Sequence, residues 1–167
     1  MTSKTPGGYK LTVFLSNKDW ANWFGHTYLK LEAPNQKPVF LDTGLTNEHY
    51  DAIRNNPEQA LKGEINAQFK AYISENAPKC AQDITDVAVE LTEQEYKNAL
   101  QKAKEWNERT DTWCSKTNCT TPVVDVAIAS GNDRLKQMFS SGGNYFRTPS
   151  GTLTRAALSN VKRCVIM

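Results

Sequence analysis

A chain of 167 residues fits one domain with short tails. Hydrophobic residues make up 39% of it, with 6 Phe, 4 Trp and 6 Tyr, enough to bury one core of ordinary size, which excludes wholesale disorder. A formal charge of +2 gives no electrostatic reason to expect nucleic acid as a partner, and the longest apolar stretches fall well short of a membrane span. Residues 1–9 are polar and include Pro6, Gly7 and Gly8, so no signal peptide is expected. The expectation is a soluble domain over residues 9–161, with a flexible tail at 1–8 and a second tail at 162–167.

In chain order, residues 9–15 are rich in β-formers and read as a first strand. Residues 16–25 form a loop or short helical turn carrying Trp20, Trp23 and Phe24. Residues 26–32 alternate and read as a second strand. Pro34-Asn35-Gln36-Lys37-Pro38 is a turn, with proline at both ends to exclude further ladder bonds. Residues 39–43 return as a third strand ended by Gly44, completing a hairpin.

The middle is less regular. Asn47 can cap a short helix through Asn55, and Pro57 can open another that Gly63 stops. Residues 65–73 show partial strand alternation, and residues 84–91 alternate clearly. Thr92 and Glu95 then form a capping box. The helix that follows puts Tyr96, Ala99, Leu100, Ala103 and Trp106 on one stripe. After a polar loop through Lys116, a second helix is expected from about Cys119 to Ser130, ended by Gly131. It is apolar on most of its circumference and therefore deeply buried, with Pro122 tolerated in its first turn. Residues 140–151 read as a loop, and residues 153–161 as a short last helix. Strands and helices together make an α+β domain.

The four cysteines, Cys80, Cys114, Cys119 and Cys164, contain no C-x-x-C pair. With only His26 and His49 beside them, no zinc spacing emerges, and no metal or organic cofactor is implied. A Cys114–Cys119 disulfide would require an oxidising compartment. Cys119 has the most distinctive place, at the start of a buried helix after Asn118. Unpaired amides and the positive dipole end of a helix stabilise a thiolate there. His26 opens a strand directly after Gly25, and a neutral imidazole near a thiol accepts its proton. Each residue also has a structural reading: an inert helix-start thiol, and a strand histidine bonded to a carbonyl. His49 lies in a polar run and reads as a surface or capping residue.

Trp23-Phe24-Gly25-His26-Thr27-Tyr28-Leu29-Lys30-Leu31 resembles the glycine–histidine strand motif of the circularly permuted, NlpC-type papain-like superfamily. Thr117-Asn118-Cys119-Thr120-Thr121 resembles that group's Asn-Cys motif at the start of its core helix. Histidine strand first and cysteine helix second is the permuted order, shared with lecithin:retinol acyltransferase-like enzymes. Pro122 stands where many of these proteins have an aromatic residue. The resemblance spans residues 9–150, and its specific content is the two short motifs. It implies a small antiparallel sheet packed against a buried helix with the cysteine at its N-terminus. It implies a Cys119–His26 hydrolase that forms an acyl-enzyme and cleaves an amide in a protein, peptide or peptidoglycan. Effector or toxin use in a target cell, with a cognate immunity protein as partner, is the biology it suggests. A lipid-directed acyltransferase or phospholipase would use the same dyad, and a non-enzymatic interaction domain would use neither residue.

Such a site needs a third polar group to orient the imidazole. Asp42 is the best placed, and hairpin register decides it. A five-residue turn centred on Asn35 puts Asp42 opposite Tyr28 and on the face of His26. A four-residue turn from Pro34 to Lys37 turns it away, leaving Glu32 and Thr43 as alternatives. The Cys119 amide is the expected oxyanion donor, with Asn118 either a second donor or the helix N-cap. Trp23, Phe24, Tyr28, Trp113 and Tyr145 are expected to line the substrate cleft, or else to be ordinary core. Cys164-Val165-Ile166-Met167 has the form of a prenylation box, so a membrane enters only through that tail or a lipid substrate.

Overall fold

The computed structural model describes residues 8–16, 26–45, 47–78, 84–114 and 117–140. Trp20, Trp23, Phe24, Cys80, Tyr145, Cys164, both tails, the loop beyond Ser140 and the helix expected at 153–161 lie outside the described residues. The architecture is α+β, a six-stranded antiparallel sheet with five helices among the described residues. Strand β1 (Lys10–Ser16), β2 (His26–Glu32) and β3 (Val39–Leu45) are followed by helices α1 (Asn47–Asn55) and α2 (Pro57–Leu61). Then come β4 (Gln68–Ser74), β5 (Ile84–Glu90), α3 (Glu93–Asn107), β6 (Thr110–Thr112), α4 (Thr120–Ala129) and α5 (Asp133–Ser140). The strand order is β5-β1-β2-β3-β4-β6. No described helix is long and apolar enough to cross a membrane.

Alternation divides the sheet into two faces. Leu11, Val13 and Leu15 of β1, Leu29 and Leu31 of β2, Leu41 of β3, Ala71 of β4 and Val87 and Val89 of β5 share one face and one core. Helices α3 and α4 cover it, bringing Tyr96, Ala99, Ala103 and Trp106 from one and Val123, Val124, Val126 and Ala127 from the other. Burying each large aliphatic or aromatic side chain contributes about 1.5–3 kcal/mol, so this layer fixes where α4 begins. A second cluster of Ile53, Ala60, Ala67, Phe69 and Trp113 holds α1 and α2 to the far end of the sheet.

Helix α3 follows its sequence signals closely. Thr92 Oγ1 accepts from the Glu95 amide at 3.2 Å, and Glu95 Oε1 accepts from the Thr92 amide at 2.9 Å. Thr92→Ala should therefore cost about 1 kcal/mol and lower the thermal midpoint by about 2–4 °C, read by circular dichroism. Helix α4 ends at Ala129, and Gly131 after its Ser130 cap has φ 81°, the left-handed conformation that closes a helix.

Gly44 does not end β3, which runs through it to Leu45 because Gly44 and Leu45 pair with Lys70 and Phe69 of β4. The partial alternation at 65–73 resolves into strand β4 from Gln68 to Ser74. Helix α5 was not expected. Asn132 caps it, its Oδ1 accepting from the Leu135 amide at 3.1 Å, and Leu135, Met138 and Phe139 join the main core. The helix runs to Ser140, where a loop was expected to start.

Candidate active site

The β2–β3 hairpin sets the site. Asn35 sits at its tip with φ 58°, a left-handed conformation that asparagine tolerates better than most residues. The strands pair as Leu29 with Leu41, Lys30 with Phe40 and Leu31 with Val39, the register of a five-residue turn centred on Asn35. Continued along the strands, this register puts Asp42 opposite Tyr28 and Gly44 opposite His26. Asp42 therefore shares the face of His26, and His26 Nε2 meets Asp42 Oδ1 at 2.5 Å.

The carboxylate is itself held in place. Its Oδ1 also accepts from the Thr43 amide at 2.8 Å, and its Oδ2 accepts from the Tyr72 hydroxyl at 2.9 Å. Asp42 is 6% exposed, so these donors replace the water that would otherwise solvate its charge. Tyr72 was not foreseen. Its segment carries only partial alternation, so neither its strand nor its face could be assigned from sequence. The available signal was the run Gln68-Phe69-Lys70-Ala71-Tyr72, in which Phe69 and Ala71 are buried and the residues between them are exposed.

Helix α4 brings the sulfur. Cys119 already has helical angles (φ −57°, ψ −26°) and makes no side-chain capping bond. Asn118 caps in its place: its Oδ1 accepts from the Thr120 amide at 3.0 Å and its Nδ2 donates to the Cys114 carbonyl at 3.1 Å. Thr121 Oγ1 reciprocates by accepting from the Asn118 amide at 2.9 Å. Asn118 thus orients the turn, and the Cys119 amide, with no helical turn before it, has no intrahelical acceptor. Pro122 lies in the first turn, where its missing amide costs nothing.

The two halves are joined one residue further along each element. Thr27 Oγ1 and Thr120 Oγ1, both fully buried, lie 3.3 Å apart. This contact ties the start of β2 to the start of α4 beside His26 and Cys119. The His26 ring interacts with Cys119 through hydrogen bonding and charge. Burial pushes the imidazolium toward losing its proton. Hydrogen-bonding and electrostatic interactions with Asp42 and Cys119 oppose this and prevail, holding the His26 pKa well above its ordinary value of 6.5. Nε2 is engaged by Asp42, so the ring's second nitrogen, Nδ1, is not the one that bonds the carboxylate.

The remaining expected residues divide. Tyr28 is buried beside the site, its ring stacked on Phe14 at 4.7 Å and 6.3 Å from the His26 ring. Trp113, expected on the cleft wall, is 6% exposed and packs into the second core with Phe69 and Ala67. His49 lies apart on α1, its Nδ1 3.0 Å from the Gln68 carbonyl. Cys114 and Cys119 are both free thiols. No family model, curated protein or solved structure matches the chain.

Proposed function

We propose that the chain is a cysteine hydrolase of permuted papain-like architecture, cleaving an amide bond in a protein, peptide or peptidoglycan as an effector toxin. One observation carries this reading: a single imidazole bonded through Nε2 to a buried carboxylate and interacting with a helix-start thiol, Cys119. A charged Cys–His pair with an orienting acid is the arrangement that nucleophilic catalysis requires.

The Cys119 thiol gives its proton to His26, forming a thiolate and an imidazolium. Sγ attacks the scissile carbonyl carbon, a C–S bond forms, and the carbonyl electron pair moves to oxygen, where the Cys119 amide donates to it. Collapse breaks the C–N bond, and the departing amine takes the imidazolium proton. Water then attacks the thioester while His26 removes its proton, and expulsion of the thiolate restores the pair. Asp42 keeps the ring oriented throughout and stabilises its charged form.

Alkylation by limiting iodoacetamide, mapped by peptide mass spectrometry, tests the reading. Cys119 should be modified at least about tenfold faster than Cys80, Cys114 or Cys164, and His26→Ala should remove that advantage. Equal rates at all four thiols would support an interaction domain instead. With cell extracts as substrate, new peptide amino termini would support amide cleavage, and lysophospholipid release would overturn it in favour of the lipid reaction.

A further inference from the structure

A glycine inside a strand interior weakens it, and often marks a place where a ligand or another backbone approaches. Gly44 is such a residue. Its backbone is not left-handed, and a methyl added there would lie 3.4 Å from Tyr72 Cε1, ordinary contact distance. Neither backbone conformation nor crowding demands glycine at this position. Its location is informative: on the same face as His26 by alternation along the hairpin, beyond the paired part of β2–β3, and paired with Lys70 across β3–β4.

Exposure singles out the same spot. On this face of β3, Phe40 and Asp42 are 7% and 6% exposed, whereas Gly44 is exposed. Lys70 is exposed beside it, and Tyr72, 42% exposed, stands at its end. Taken from β2 to β3 to β4, this face presents in turn the general base, a bare backbone and a cation. Lys70, like Lys104 and Lys136, forms no ion pair among the described residues, and of these three it alone lies on the sheet, on the face of His26 and Asp42. Asp42, the nearest acidic residue on this face in the sheet register, is bonded to His26, Thr43 and Tyr72, and Asp111 on the neighbouring β6 is paired with Arg109.

We infer that Gly44 floors the substrate groove, with Tyr72 as its aromatic wall and Lys70 as the cation that recognises an acidic group on the substrate. The inference rests on the Cys119–His26 reading and adds a substrate class to it: an extended chain carrying a carboxylate within about three residues of the scissile bond. The chain lies over the bare backbone at Gly44, and the carboxylate reaches Lys70 on the side away from His26.

Peptidyl chloromethyl ketones bearing Glu, Gln or Lys at each of the three positions before the electrophile test this on the full chain. Each rate of Cys119 alkylation is divided by the iodoacetamide rate of the same protein, because that small reagent needs no groove. The wild-type chain should prefer a Glu-bearing probe over its Lys counterpart by about three- to tenfold, as expected for one exposed charge pair. Lys70→Glu, a surface change, should reverse the preference. Gly44→Val should lower the normalised rate of every peptidyl probe by at least about tenfold, through a side chain placed where the chain would lie. A preference unmoved by Lys70→Glu, or normalised rates unmoved by Gly44→Val, would overturn the groove and leave the catalytic reading standing. Absence of selective iodoacetamide labelling at Cys119 in the wild-type chain would overturn both.

Discussion

Cys119→Ala should abolish hydrolysis, a loss of at least about 10⁴-fold, because no other group in the site can form the acyl intermediate. The substitution removes one sulfur atom from a residue 9% exposed. None of the bonds that shape the turn uses that sulfur: Asn118 to Thr120, Asn118 to Cys114 and Thr121 to Asn118 all persist without it. The Thr27–Thr120 contact that ties α4 to β2 also remains. Stability should fall by about 1 kcal/mol or less, lowering the thermal midpoint by no more than about 2–4 °C. Folding and activity therefore separate cleanly in this variant. A folded Cys119→Ala protein that kept its biological effect would remove the enzymatic proposal and leave an interaction domain. Cys119→Ser makes a stricter comparison, keeping a hydroxyl of similar size but a much poorer nucleophile at neutral pH, and it should be inactive as well.

What the sequence makes legible follows from where the physics is local. Helix α3 is legible because its capping box and apolar stripe lie within a few residues of one another and need no partner to be recognised. The start of α4 is legible for the same reason, since Asn118 as a cap, Pro122 in a first turn and an apolar run closed by Gly131 lie within one short segment. The face of Asp42 is a different kind of question. Pro34 and Pro38 permit two turn lengths and one residue of slip exchanges the faces; the fold takes the register with Asn35 left-handed at the tip and Leu41, in place of Asp42, in the core. Tyr72 is further removed still. Its role depends on β4 pairing with β3, a contact across 30 residues that no local pattern encodes. Strand β6, three residues long, is too short to show a period. Helix α5 had its signal, an Asn132 cap ahead of Leu135, Met138 and Phe139, lost beside the glycines that follow. Trp113 illustrates the converse: an aromatic residue near a motif in sequence belongs to whichever core its strand adjoins, here the one beneath α2.

Asp42→Asn should lower kcat/KM by about 10²- to 10³-fold and move the alkaline side of the pH profile to lower pH. The imidazolium must carry its proton to protonate the departing amine, so activity persists upward in pH until His26 deprotonates. That point lies well above 6.5 in the native protein: burial works against the charged ring, but Asp42 and Cys119 more than offset it. Removing the carboxylate charge leaves burial opposed by Cys119 alone, and the alkaline limb falls toward or below the ordinary value. Stability should follow the same sign. A histidine whose folded pKa is raised contributes stability that is fully present below its unfolded value near 6.5 and is lost as pH rises through the folded value. The wild-type chain should therefore lose stability across that alkaline window, and Asp42→Asn should lose less, as followed by urea unfolding at a series of pH values. Tyr72→Phe provides an intermediate case. It deletes one of three donors to the carboxylate while keeping the ring, so the alkaline limb should shift in the same direction by less, with kcat/KM reduced about three- to tenfold. An alkaline limb that stayed in place in Asp42→Asn would mean that the pair at His26 Nε2 does not govern the imidazolium, and that Cys119 alone sustains its charge.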